Sequence, residues 1–225
     1  MLMEYAGALQ GLATADDARL ARQFWEINQP LYPMWLGYQS TPYGDHFSGK
    51  EKVVLWEEGK GYLAHSPQAR IQGEKAWDRW GIAVKMMGDL RPAFLCQSAF
   101  DMNVNCILPK NDKDLAALWS YIVSDEFRNN VRKINQKLNV SNATMVKVSF
   151  DLERWQKVAE ENYPNGLPKP YSDDPTQWIF HGHPCGSIIW NEATKRTDYG
   201  TLRTDENVLQ VAMARLLGYR FPAEL

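Results

Sequence analysis

Between Ser124 and Leu138 the apolar residues Phe127, Val131, Ile134 and Leu138 step by four, three and four, which is the period of one helix face. Ser124 stands where an N-cap belongs, because its short hydroxyl side chain can accept from an otherwise orphaned backbone N–H. The opposite face carries Arg128, Arg132, Lys133 and Lys137. Just upstream, Asn111 caps a second run with Leu115, Leu118, Trp119 and Ile122 inward, and downstream Asp151 caps a short helix holding Leu152, Trp155 and Val158. Thr14 and Asp17 form an approximate capping box for a first helix with Leu20, Phe24 and Ile27 on one side, ended by Pro30 and Pro33. A last helix is predicted from Thr204, with Val208, Leu209, Ala212 and Leu216 inward, stopping at Gly218.

Other segments have the shorter period of strands. Lys52–Trp56 reads as a strand closed by Gly59 and Gly61. Ile82–Met86, Ala93–Gln97 and Val104–Leu108 read as three more, with turn residues Gly88-Asp89 and Arg91-Pro92 in the first gap. In Met145–Phe150, Val146, Val148 and Phe150 alternate with Lys147 and Ser149, the pattern of a half-buried strand. Tyr163–Pro170 is the densest Pro/Gly stretch and marks a linker. The predicted organisation is therefore an α+β domain over residues 1–162, with a mixed sheet and flanking helices, and a tail over 163–225 that ends in a helix.

Composition narrows the classes without naming one. Of 225 residues 44% are hydrophobic and nine are Trp, enough for a real core and too aromatic for a disordered chain. The 25 basic and 27 acidic residues give a formal charge of −2, which excludes a polycation that coats nucleic acid indiscriminately. No apolar run approaches the ~18 residues of a membrane span, and no signal-peptide pattern opens the chain. Three scattered cysteines, Cys96, Cys106 and Cys185, do not make a disulfide framework; they favour a reducing, cytoplasmic setting, with Cys96 and Cys106 in core strands.

Catalytic patterns are missing. His181-Gly-His183-Pro-Cys185 gathers three metal-ligand types, yet no second short-spaced couple completes a zinc set, so the reading is a loop fixed by Pro and Gly without metal. There is no nucleophile elbow and neither phosphate-binding glycine pattern. The Asn/Asp-Pro-Pro-aromatic tetrad that holds a flipped adenine is missing too, as is a glycine-rich loop for S-adenosylmethionine; Asp174-Pro175-Thr176 is the nearest approach to the tetrad.

Four segments, taken in order, resemble the C-terminal half of large N6-adenine DNA methyltransferases of the type IIG restriction–modification and BREX- and DISARM-like phage-defence group. Gly11-Leu-Ala-Thr-Ala-Asp-Asp17 through Arg22-Gln-Phe-Trp-Glu26 is similar to that family's G-L-x-T-G-D-N … R-x-W-E opening, departing from it at Ala15 and Asp17. Trp35-Leu-Gly-Tyr38 with Lys52–Glu57 resembles W-x-x-Y … V-V-x-W-E, and Trp80-Gly-Ile-Ala-Val84 with Phe100-Asp-Met-Asn103 resembles a W-G-x-x-I/V … F-D-x-N strand pair. Tyr163-Pro-Asn-Gly-Leu-Pro through Trp178 is similar to a tail segment of the defence enzymes. The resemblance spans most of residues 8–220. It implies a target-recognition fragment or subunit that contacts double-stranded DNA, while a catalytic methyltransferase partner supplies S-adenosylmethionine and the adenine pocket.

The residues suit that role in two places. Residues 124–147 hold five basic side chains (Arg128, Arg132, Lys133, Lys137 and Lys147) against Asp125 and Glu126, together with five asparagines that include Asn139 and Asn142. Cations position a duplex by its phosphates and asparagine reads base edges, so this helix and the turn after it are the first DNA-binding candidate. Residues 70–91 hold Arg70, Lys75, Arg79, Lys85 and Arg91 against three acids, of which Arg79, Lys85 and Arg91 are phosphate candidates. Trp77 and Trp80 lie beside them, to stack on a nucleotide or to be buried; burial is the favoured reading. The alternative function is a module that docks a methyltransferase to other defence subunits without reading DNA, suggested by six acidic and three basic residues in 151–180.

Overall fold

A computed structural model of the chain describes residues 1–23, 26, 34–43, 46–96, 98–168, 188–191, 193 and 196–199. Its strands are β1 (Ala6–Gln10), β2 (Ala21–Gln23), β3 (Trp35–Gln39), β4 (Lys52–Leu55), β5 (Trp80–Lys85), β6 (Pro92–Cys96), β7 (Ala99–Phe100), β8 (Val104–Pro109), β9 (Ile188–Asn191) and β10 (Arg196–Tyr199). Its α-helices are α1 (Asp17–Leu20), α2 (Tyr62–His65), α3 (Leu115–Ile122), α4 (Asp125–Ile134), α5 (Asn142–Met145) and α6 (Leu152–Asn162). The fold is α+β, as the mixture of periods predicted. Two compact units are present: Met1–Ala13, Thr41–His46 and Ile71–Pro168 form one, and Thr14–Ser40, Phe47–Arg70 and Lys169–Leu225 the other.

The first unit is built on an antiparallel sheet in the order β1-β8-β5-β6. All six residues of β8 are buried, which fits a central strand paired on both sides and explains its nearly unbroken apolar run. One sheet face carries Ile82, Phe94 and Ile107, which oppose one another across the ladders, and Val84, two residues on from Ile82 along β5. Phe94 stacks on Trp119 of α3 at 3.9 Å between ring centroids, so α3 covers that face. Six of the eight residues of α3 are buried, and its Tyr121 meets Phe127, Phe150 and Trp155 at 5.2–5.4 Å, drawing α4 and α6 onto it. The predicted caps form: Ser124 Oγ accepts the Phe127 N–H at 3.3 Å, Asp151 Oδ1 accepts that of Arg154 at 3.1 Å, and Asn111 Oδ1 that of Lys113 at 3.1 Å.

Several expectations change on contact with the structure. The helix from Thr14 is a single turn capped by Asp16, and the chain leaves it at Ala21 for β2, which pairs with β4. A lone turn is marginal, and a strand ladder satisfies more backbone groups; Phe24 and Ile27 lie outside the described residues. Residues 146–150 form no strand. Val146 and Val148 are buried between exposed Lys147 and Ser149, as the alternation predicted, but their carbonyls accept from Met3 and Leu2 at 2.8 and 3.0 Å instead of entering a ladder. Helix α4 stops at Ile134, because Asn135 turns extended and its side chain accepts the Lys137 N–H at 2.9 Å. Ile134 and Leu138, expected inward, are therefore 52% and 63% exposed.

The second unit contains an antiparallel β2-β4-β3 arrangement, with Trp35 opposite Leu55 and Tyr38 opposite Lys52. Val53, Val54 and Tyr38 are buried there, and Gln39 donates to the Ser48 carbonyl at 3.0 Å. Strands β9 and β10 pair as an antiparallel hairpin. The predicted C-terminal helix and the His181–Cys185 loop lie outside the described residues.

Candidate nucleic-acid interface

The two basic clusters, far apart in sequence, meet at one edge of the first unit. The stretch after α4 runs antiparallel to the turn after β5: Val140 donates to the Met86 carbonyl at 2.9 Å, Gly88 donates to the Leu138 carbonyl at 3.3 Å, and Asn139 bridges Met87. From the sheet, the fully buried Asn105 donates from Nδ2 to the Val140 carbonyl at 3.2 Å and holds this stretch down. A groove of about 480 Å³ opens beside it, lined by Thr41, Lys85, Met87, Gly88, Asn103 and Leu138.

Arg132 makes this edge and is not available to a ligand. Its guanidinium donates to the carbonyls of Gly88 and Lys137, with Leu138 O at 3.5 Å, so a planar five-donor fork clamps the two segments together. The turn it grips is left-handed at Gly88, φ 69°, which glycine adopts freely, and at the buried Leu90, φ 53°, where a side chain is strained. Lys133, Lys137 and Asn139 are exposed. Lys137 follows the helix instead of sharing its face with Arg128 and Arg132, so the four cations do not form a single stripe.

The remaining predicted residues divide between the edge and the interior. Lys85 reaches Asp89 at 3.6 Å, and Arg91 bonds both Asp89 and the Tyr43 carbonyl at 2.6 Å. Burial raises the Asp89 pKa, but the Arg91 hydrogen bond and the charges of Lys85 and Arg91 outweigh it and hold the carboxyl below its ordinary range. Arg79 is away from the groove, donating to the Pro109 carbonyl at 3.0 Å and to Asp112 at 2.5 Å. Arg128 pairs with Asp125 at the start of α4. Asn142 opens α5 and approaches the Ala8 carbonyl at 3.5 Å. Trp77 is buried and Trp80 half-buried, in accord with the packing reading; Trp80 meets Phe94 edge-on at 5.9 Å.

Asn103 was named only inside a sequence motif, yet it lines the groove. Nothing in its spacing marked it, because the turn that presents it depends on Asp101, whose carboxylate accepts the Asn103 backbone N–H at 2.7 Å. Met87 and Leu138, 42% and 63% exposed, add apolar surface to the same groove.

The second unit has a hollow of about 310 Å³ lined by Asp17, Ala18, Ala21, Arg22, Gln23, Glu26 and Lys52. Its charges are largely engaged: Arg22 donates to the Ala18 and Ala21 carbonyls, and Glu26 accepts the Gln23 N–H. Among the described residues no group of three or more His, Cys, Asp or Glu is placed to hold a metal. Among them, too, no helix is long and apolar enough to cross a membrane. Cys106 is fully buried and its thiol pKa is pushed up to about 12 by that burial, so it is a packing residue and not a nucleophile. No family model matches the chain, and no curated protein matches it.

Proposed function

We propose that the chain is a DNA target-recognition module of an N6-adenine DNA methyltransferase system, with catalysis and S-adenosylmethionine supplied by a partner domain or subunit. One observation carries this reading. Two basic segments about fifty residues apart are locked side by side by Arg132, beside a groove that Lys85 lines, with Lys133, Lys137 and Asn139 exposed on the adjoining segment. Loops held by a rigid sheet are where recognition residues belong. Lysines are suited to phosphates and the amide to a base edge. Arg79, Arg91, Arg128 and Asn142 hydrogen-bond within the protein and are dropped from the contact set, whereas Lys85 lies 3.6 Å from Asp89, an ion pair beyond hydrogen-bond length, and is kept.

The resemblance gains support from Ala15. It takes φ 62°, the left-handed conformation suited to the glycine that the methyltransferase pattern has there. The docking alternative rests on Met87 and Leu138, whose exposed side chains would suit a protein partner in the same groove.

Fluorescence anisotropy with a labelled random-sequence duplex at low salt separates the two. The module should bind, and reversing charge with Lys133→Glu and Lys137→Glu should weaken binding more than tenfold. Lys157→Glu, an exposed change on α6, should leave affinity unaltered. Equal loss from both changes, or no binding by the parent chain, would remove the DNA reading and leave docking.

A further inference from the structure

We infer that Asn103 is a specificity-determining residue that reads adenine in the major groove, an inference that rests on the DNA-reading function proposed above. The argument starts from Asp101, which is 9% exposed and accepts two hydrogen bonds from the same neighbour: the Asn103 backbone N–H and Asn103 Nδ2, both at 2.7 Å. A carboxylate only accepts, so the nitrogen side of the amide faces Asp101 and the orientation of the amide is fixed.

That leaves two functional groups. The Oδ1 of Asn103 accepts no hydrogen bond among the described residues, and Nδ2 retains a second hydrogen. Asn103 is exposed and lines the groove together with Lys85. A free acceptor beside a free donor on one planar amide complements adenine, whose N6 donates and whose N7 accepts. Guanine offers two acceptors at that edge, so Oδ1 would oppose O6. The Nδ2 bond to Asp101 holds the side chain before binding, and the turn beneath it is fixed as well: Val104 N–H bonds the Asp101 carbonyl at 2.9 Å and Met86 N–H bonds the Asn103 carbonyl at 3.2 Å, tying it to the sheet. Asn139, exposed on the neighbouring stretch, has no comparable brace among the described residues, so the reading role falls to Asn103.

The test is selection of bound duplexes from a randomised library at low salt, using the full chain and its Asn103→Ala variant. The parent chain is expected to enrich a motif with a fixed adenine, and Asn103→Ala to lose the preference at that position only, with about tenfold lower affinity for the selected duplex. A folded Asn103→Ala that enriches the same motif overturns this inference while leaving DNA reading intact. A parent chain that enriches nothing overturns DNA reading and this inference together. Should Asn103→Ala fail to fold, the parent chain decides alone. Replacing each adenine of the motif in turn by 7-deazaadenine, which lacks the N7 acceptor, must weaken binding at one position; no loss at any position overturns the inference.

Discussion

The aromatic junction under α3 and the groove at the opposite kind of site, an open loop edge, belong to the same unit yet treat their side chains differently. At the junction Phe94, Trp119 and Tyr121 are almost fully buried, the Trp119 Nε1–H reaches the Tyr163 hydroxyl at 3.0 Å, and the Tyr121 hydroxyl donates to the Ser149 carbonyl at 2.7 Å. At the groove, Met87 and Leu138 stay exposed, and Lys133, Ile134, Lys137 and Asn139 are exposed on the segment that leads to it and passes it. Burial at the junction is what a stable fold requires. Exposure at the groove stabilises nothing, and it leaves those side chains accessible to the ligand proposed above.

Trp119→Ala should give the largest effect on this comparison. It removes the ring stacked between Phe94 and the edge of His46, and stability should fall by about 3–5 kcal/mol in chemical denaturation. Binding per folded molecule should not change. A Trp119 variant of parental stability would mean that the junction is not the structural centre of the unit.

A smaller effect separates the two kinds of cation at the groove. Arg132→Ala should cost about 1–2 kcal/mol, because backbone carbonyls lose a charged donor, and Arg132→Lys should restore little of it, since an ammonium cannot span the same acceptors. Lys133→Ala should stay within about 0.5 kcal/mol of the parent. Equal costs for the two alanine variants would contradict the clamp.

The smallest effect is a dependence on pH. Asp89 has its folded pKa depressed, so it contributes stability that is present above its ordinary carboxylate range and lost as the pH falls through the lower folded value. Asp89→Asn should therefore lower stability near neutrality and flatten the acid loss, so that the two chains converge once the pH is below the folded value. An unchanged acid profile would mean that the Lys85–Asp89–Arg91 group does not hold its turn.

How much of this was legible in the sequence depended on how local the cause was. The caps at Ser124, Asn111 and Asp151 and the inward positions Phe127, Val131 and Trp155 follow from spacing alone, and the structure has them. Strand β1 was not foreseen: Ala-Gly-Ala-Leu-Gln has no β-branched residue, and it is a strand because β8 pairs with it. The end of α4 was misplaced, because Leu138 continued the apolar period while Asn135, a residue that competes with the helix for its own backbone, broke it. Charge patterning found both basic segments of the groove. It did not distinguish Arg132, spent on carbonyls, from Lys133, its neighbour in solvent, because that difference is made by Gly88, forty-four residues away.

The central claim is that exposed lysines at this edge meet phosphates while Arg132 only shapes the edge. The direct measurement is the dependence of duplex affinity on salt for the parent chain and for the Lys133→Ala/Lys137→Ala double variant. Each lost phosphate contact flattens the slope of log K against log salt by about 0.9, so the double variant should be shallower by about 1.8, equally for every duplex sequence. A double variant with the parent's slope and affinity would contradict the claim, and the groove would then be a surface for protein.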